Sequence, residues 1–431
     1  MFIIAGVSSS SIDSIQSLLC VELNIDKISV SSTFIRHEPN DDERTPVRVL
    51  TIDYRLSTID YRLMTTDLLY QLALTEVANI GCVQAKILVQ HFGNAENIFK
   101  AKQSTLEKIE GIGTIRANCI KTFTGFSNAD DEIRFIEKFR IKPLFITNQD
   151  YPQRLLNCYD SPTLLFYKGT ADLNSSKIVA IVGTRNHTEY SKKIIDQFFD
   201  ELSGQHILII SGMAYGVDAL AHKAAVKNQL STVGVLAHGL DQMYPPEHTA
   251  LAKDMLKNSG GLLTEFRSKT KPGKHHFPTR NRIVAGMSDA TIVIESGVKG
   301  GSMVTADLAN GYNRDVFAFP GKVTDNKSAG CNYLIKTNKA MLLTDGQQLL
   351  EIMGWEKQSQ KSKVKSQKEI FVELSSDERI IVDILNEKEI VHIDEINLRS
   401  GLSNSAIAAA ILNLELKNVV NGLPGKMYKL S

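Results

Sequence analysis

Between residues 177 and 321 the chain repeats one pattern: a short apolar run rich in β-branched residues, a turn that usually carries glycine, then a helix. The runs read "KIVAIVGT", "HILIISG", "STVGVLAHG", "GGLLTEF", "ATIVIES" and "DVFAFPG". Among the segments between them, "YSKKIIDQFFDEL" and "GVDALAHKAAVK" carry helical spacing. A strand that is apolar on both faces must be covered on both, and strands joined through helices run parallel. The pattern therefore predicts an α/β fold with an extended, Rossmann-like parallel sheet.

In such a sheet, ligands bind beyond the carboxyl ends of the strands. The first run is followed by Gly183, Thr184 and Arg185, and the second by Ser211, Gly212, Gly216 and Asp218. "HGLDQMYPPEH" follows the third, with Gly239, Asp241 and Tyr244, and "GVKGGSMVTADL" follows the fifth, with Gly300, Gly301 and Ser302 opening a helix. Glycine turns that enter helix N-termini expose backbone N–H groups at the positive end of the helix dipole, which suits an anion. After the fourth run comes "KPGKHHFPTRNRIVAGMSD", residues 271–289. No Asp or Glu occurs between Glu265 and Asp289, although the whole chain of 431 residues has a net charge of only +1. Cations placed this selectively, with Arg185, Lys274, Arg280 and Arg282 at one sheet edge, point to phosphates.

Several chemistries are disfavoured. "GTRNHT" lacks the later glycines of a dinucleotide fingerprint, and no GxxxxGK[ST] loop exists, so neither dinucleotide binding of that type nor ATP hydrolysis is expected. Ser211 and Ser302 have no His–Asp partners in a recognised order, and serines after strands are commonly turn formers. The pair His275–His276 has no further ligand at metal-binding spacing, so no metal site is expected. The five cysteines form no CxxC pair, which fits a reducing cytoplasm. No apolar run approaches the roughly 20 residues of a membrane helix.

Five regions follow. Residues 1–63 end in "TIDYRLSTIDYRL", a tandem duplication just before Met64, and read as an appendage or as sequence upstream of the true start. Residues 64–140 have helical spacing. Within them, "LEKIEGIGTIRANCIKTF" resembles a helix-hairpin-helix turning at Gly111 and Gly113, with Arg116 and Lys121 near the turn; phosphate binding and simple helix packing are both open readings. Residues 141–355 form the Rossmann-like domain. Residues 356–374, including "KQSQKSKVKSQKE", read as a linker, and 375–431 as a winged helix. Its expected recognition helix, "NSAIAAAILNLELKN", carries Lys417 as its one cation, which suits protein packing better than a phosphate-lined groove.

Taken together, "VGTR", "SGMAYGVDALAH", "GLDQMYPPEH", "FPTRNRIVAGMSDATIVIES", "GGSMVTADLA", "VFAFPG" and "GCNYLIKTNKA" resemble the DNA-processing protein A family (DprA, also called Smf). The resemblance runs essentially from Met64 to Ser431. It implies a dimeric, non-enzymatic protein that binds single-stranded DNA and helps load the RecA recombinase onto it, notably in natural transformation. By the same resemblance, Arg185 contacts the DNA backbone, Lys274 pairs with a phosphate, and Phe277 stacks on a base. Gly183, Gly300, Gly301 and Ser302 fall on phosphate-cradling turns. Arg280 and Arg282 lie in the same basic pocket or brace the fold. Pro246 stands where some relatives carry a lysine. The reading from another class is a nucleotide-processing enzyme of the phosphoribohydrolase type, whose glycine loop "KGGSMVTAD" echoes in part.

Overall fold

Six of the predicted runs become strands because each is bounded by turn residues and leaves no polar face to expose. In the computed structural model, which describes residues 28–35, 47–54, 58–355 and 374–430 except 389, 418 and 424, these are β5 (Ile178–Val182), β6 (Leu208–Gly212), β7 (Thr232–Val235), β8 (Gly261–Thr264), β9 (Ala290–Val293) and β10 (Asp315–Ala318). Every residue of β5 to β9 is buried, as the unbroken apolar runs require. The α/β expectation holds, and the sheet is larger than the runs alone indicate. It has nine strands in the order β11-β10-β9-β5-β6-β7-β8-β4-β3, where β3 is Lys142–Phe145, β4 is Leu164–Gly169 and β11 is Met341–Leu342. All neighbours from β11 to β8 are parallel, whereas β4 is antiparallel to both β8 and β3.

From β5 the chain steps outward through β6, β7 and β8, then returns to place β9 on the other side of β5. The strand order thus reverses at β5, and a crevice opens there beyond the carboxyl ends. Beneath it, Val179 and Ile181 of β5 pack with Phe198 and Phe199 of the helix Glu189–Glu201 and with Phe317 and Phe319. Phe198 meets Phe319 edge to face, with centroids 5.8 Å apart. Each such side chain contributes about 1.5–3 kcal/mol by burial, so the crevice rests on a well-packed floor.

The chain divides into two units, Met1–Ala73 and Leu74–Ser431. In the first, β1 (Ile28–Ile35) and β2 (Val47–Tyr54) pair antiparallel. The first copy of the duplicated hexapeptide enters β2 and the second opens the helix Thr58–Glu76, so the word itself does not dictate a conformation. The rest of the 1–63 appendage reading, and nearly all of the 356–374 linker, lie outside the described residues.

In the second unit, short helices from Cys82 to Phe139 precede the sheet. The turn between Gln103–Leu106 and Gly113–Lys121 uses Gly111 at φ +81° and Gly113 at φ +61°, conformations that glycine adopts without strain. Residues 375–430 contain helices Ser376–Glu387, Ile393–Ser400 and Asn404–Leu416, with β12 (Val391–His392), β13 (Val420–Leu423) and β14 (Met427–Leu430) in a sheet ordered β12-β14-β13. This is a winged helix. It docks at the amino ends of β9 and β10, where Arg314 pairs with Asp394 at 2.5 Å and Lys426 lies 3.9 Å from Asp315. Lys417 is engaged by Glu378 at 2.7 Å. Among the described residues, no helix is long and apolar enough to cross a membrane.

Candidate nucleic-acid interface

The crevice at the carboxyl edge is an open cleft of about 580 Å³. Gly183 and Arg185 enter it from the end of β5, and Gly300, Gly301 and Ser302 from the turn after β9. Lys274, Phe277 and Arg280 come from the acid-free segment. That segment forms a loop and then the helix His276–Met287, so Phe277 sits in the first helical turn. Predicted site residues from three separate stretches therefore line one cleft, and Arg282 alone of that set does not.

The side chains of Arg185 and Lys274 are exposed, and neither forms a hydrogen bond or ion pair among the described residues. Arg185 lies over the Phe277 ring, its guanidinium carbon 5.1 Å from the centroid. A cation over an aromatic face at this distance is held by the ring quadrupole, worth about 0.5–1 kcal/mol at exposed sites. Phe277 is half-buried, and Tyr244 approaches it with centroids 6.1 Å apart. Lys299, also exposed and unpaired among the described residues, adds a third cation beside the glycine pair.

The turns differ in what they can offer an anion. Gly300 precedes the helix Gly301–Gly311, which has no side-chain N-cap, so its first N–H groups remain available. The Ser302 hydroxyl is buried and bonded to Ser296 Oγ at 2.8 Å, so at this turn the backbone is better placed than the side chain to receive a phosphate. After β5, by contrast, Thr188 caps the helix Glu189–Glu201, and Glu295 accepts from both the Thr188 hydroxyl (2.7 Å) and its N–H (3.0 Å). Gly183, which the sequence places on a phosphate-cradling turn, lines the cleft beside this capped helix. A Cβ there would come within 2.6 Å of Val217, so glycine is required by packing against the neighbouring helix. After β6, the first turn of the helix Val217–Lys227 is occupied by its own Asp218, whose carboxylate accepts from Ala214 N–H at 3.4 Å.

The two remaining arginines are braces. Arg280 is 5% exposed and donates to the Val235 carbonyl and to Asn281 Oδ1. Burial lowers its affinity for its proton and raises that of the nearby Asp218, and the opposite charges partly offset both effects. Gly212 leaves room for this arrangement, since a Cβ would lie 2.4 Å from both side chains. Arg282 points away from the cleft, pairing with Glu265 and donating to the Asp160 carbonyl. The basic-pocket reading of Arg282 is therefore corrected. Behind the cleft, buried His222 bridges Thr232 Oγ1 and the Gly212 carbonyl, each at 2.7 Å. His276, half of the histidine pair, contacts the Lys271 carbonyl at 3.1 Å and packs at a tilt against Phe266, with ring centroids 4.5 Å apart. No group of three or more His, Cys, Asp or Glu that could hold a metal occurs among the described residues.

Known proteins resemble this chain in sequence and fold. The family model for DNA recombination-mediator protein A matches residues 142–354, a DprA winged helix domain matches 372–426, and a helix-hairpin-helix motif matches 68–132. The DNA processing protein DprA of Streptococcus pneumoniae is 39% identical over 221 residues, 51% of this chain and 77% of that protein. Protein Smf of Synechocystis is 35% identical over 290 residues, 66% of this chain and 72% of its own length. The chain belongs to the DprA/Smf family. The X-ray structure of S. pneumoniae DprA agrees, with a TM-score of 0.58 and 31% identity, covering 65% of this chain and 96% of that one. As a DprA/Smf member the chain is of the DNA recombination-mediator type. Lys299, Asn281 and Thr305, which also line the cleft, escaped a reading based on turns and motifs. Lys299 had one usable signal, a lysine immediately before an uncapped helix start.

Proposed function

We propose that this protein binds single-stranded DNA along the carboxyl-edge cleft, without sequence preference, and helps load the RecA recombinase onto it during recombination and natural transformation. The observation that carries the reading is the juxtaposition of Arg185 and Lys274, unpaired among the described residues, with the half-buried Phe277 ring and the start of Gly301–Gly311, which carries no side-chain cap. Cations and helix N–H groups take phosphates and carry no sequence information, so affinity falls as salt rises. An aromatic face takes a base only where that base is unstacked, which favours a single strand over a duplex. Family membership supports the recombination role, and the RecA partner and a homodimer follow from it as part of the proposal. The nucleotide-processing alternative is not favoured, because the family shared over residues 142–354 is one of DNA recombination mediators.

The test is a gel shift with single- and double-stranded oligonucleotides of matched sequence, without metal or nucleotide. Preference for the single strand, similar for different base compositions, is the expected result; equal affinity for duplex would overturn the stacking argument. RecA filament assembly measured with and without the protein tests the loading step.

A further inference from the structure

The loop that delivers Lys274 to the cleft is anchored from outside the sheet domain. Glu132, on the helix Phe126–Phe139 of the helical region, is 4% exposed. Its carboxylate accepts from Ser268 N–H at 2.9 Å and from Ser268 Oγ at 2.6 Å. Arg267 next to it pairs with Glu76, lies 3.8 Å from Glu132 and donates to the Asn128 carbonyl at 2.5 Å. Buried carboxylates need such partners, and here they come from the stem of one loop. Beyond the stem, Lys269 turns at φ +66°, and the Thr270 carbonyl accepts from Gly239 N–H at 3.1 Å and Gln242 Nε2 at 2.8 Å. Lys274 then stands exposed, immediately before the helix that holds Phe277.

We infer that the helical region positions the DNA-contact loop, with Glu132 as the positioning residue that sets Lys274 through Ser268 and Arg267. This rests on the single-strand reading of the cleft, and it assigns the helical region a function distinct from contacting DNA at its own glycine turn. Arg185 comes from the end of β5, outside the loop that Glu132 holds.

Two measurements on the full chain separate the clamp from the reading beneath it. The first needs no DNA: limited trypsin digestion reports cleavage after Lys269 and Lys274. Glu132→Ala, and more mildly Ser268→Ala, are expected to speed cleavage there by about tenfold, because local opening now costs less. Unchanged cleavage in both variants overturns the clamp whatever the cleft binds. The second is a double-mutant cycle on affinity for an oligothymidylate. In the Glu132→Ala background, Lys274→Ala is expected to add less than about twofold, whereas Arg185→Ala keeps its full effect, since only coupled residues depart from additivity. If Lys274→Ala costs the same factor in both backgrounds, the positioning role fails; Ser268→Ala serves as the background if Glu132→Ala does not fold. If Lys274→Ala and Arg185→Ala leave wild-type affinity unchanged while trypsin still reports a loosened loop, the cleft reading fails and the clamp stands.

Discussion

Two regions of this molecule combine glycine turns with cations, and they use them in opposite ways. At the helical hairpin, Arg116 donates to the carbonyls of Asn79 and Gly111, each at 3.0 Å, and Lys121 donates to Phe99 and Ala101 at 2.6 and 2.9 Å. Their donors are partly spent on closing the local fold. At the cleft, Arg185, Lys274 and Lys299 donate to no carbonyl among the described residues, and they line the same cleft as an aromatic ring and a helix start without a side-chain cap. Sequence alone makes the two regions look alike. What separates them is whether backbone acceptors lie within reach of the cation, and that is a property of the packed chain.

The largest expected effect tests the braces, which share a sequence motif with the binding cations. Arg282→Ala leaves Glu265 buried without its cation, and breaking a buried pair in this way costs about 3–5 kcal/mol. Urea denaturation should show that loss, while the folded fraction retains its affinity for single strands. A large loss of affinity at unchanged stability would return Arg282 to the cleft.

His222 gives a pH-dependent version of the same contrast. Burial pushes its pKa down from 6.5 to about 4. Below pH 6.5 the unfolded chain takes up a proton that the folded chain refuses, so stability is complete above 6.5 and falls as pH drops toward 4. The full loss is roughly 3 kcal/mol. Thermal melts of His222→Gln should show a shallower decline across that window, and an unchanged slope would mean that His222 does not set the acid sensitivity.

How much of this was legible in the sequence follows the same division. The six strands were legible because a strand buried on both faces leaves an unbroken apolar run, and the cleft followed from where those strands end. Strands β3, β4 and β11 were not assigned, because the edge pairing is tertiary and β11 spans only Met341–Leu342. Within the helix His276–Met287, Phe277, Arg280, Asn281 and Val284 share the cleft face. Positions two apart on a helix are separated by about 200°, which turns Arg282 to the opposite side. That separation was available from the sequence once Phe277 was placed in the cleft. The clamp at Glu132 was not, since nothing local links residue 132 to residue 268.

The cleft residues then divide by salt dependence. Phe277→Ala should weaken single-strand binding by about 1–3 kcal/mol with little change in salt slope, because stacking releases no counterions. Arg185→Ala and Lys274→Ala should each weaken binding less at moderate salt and reduce the slope by about 0.7, the contribution of one phosphate on a single strand. Fluorescence anisotropy across a salt series measures both quantities. A flattened slope for Phe277→Ala would mean that losing the ring also displaces Arg185, which lies over it.

The smallest expected effect is the sharpest test of the difference between hairpin and cleft. Arg116→Ala and Lys121→Ala should leave single-strand affinity and salt slope within about twofold of wild type, because non-contacting surface changes typically alter energies by only about 0.5 kcal/mol. Their cost should appear as a modest loss of stability in the helical region, where the carbonyls of Asn79, Gly111, Phe99 and Ala101 lose donors. A reduced salt slope in either variant would show that the hairpin also contacts phosphates. The two glycine turns would then form one binding surface, and the engagement of a cation by backbone carbonyls would no longer distinguish packing from binding.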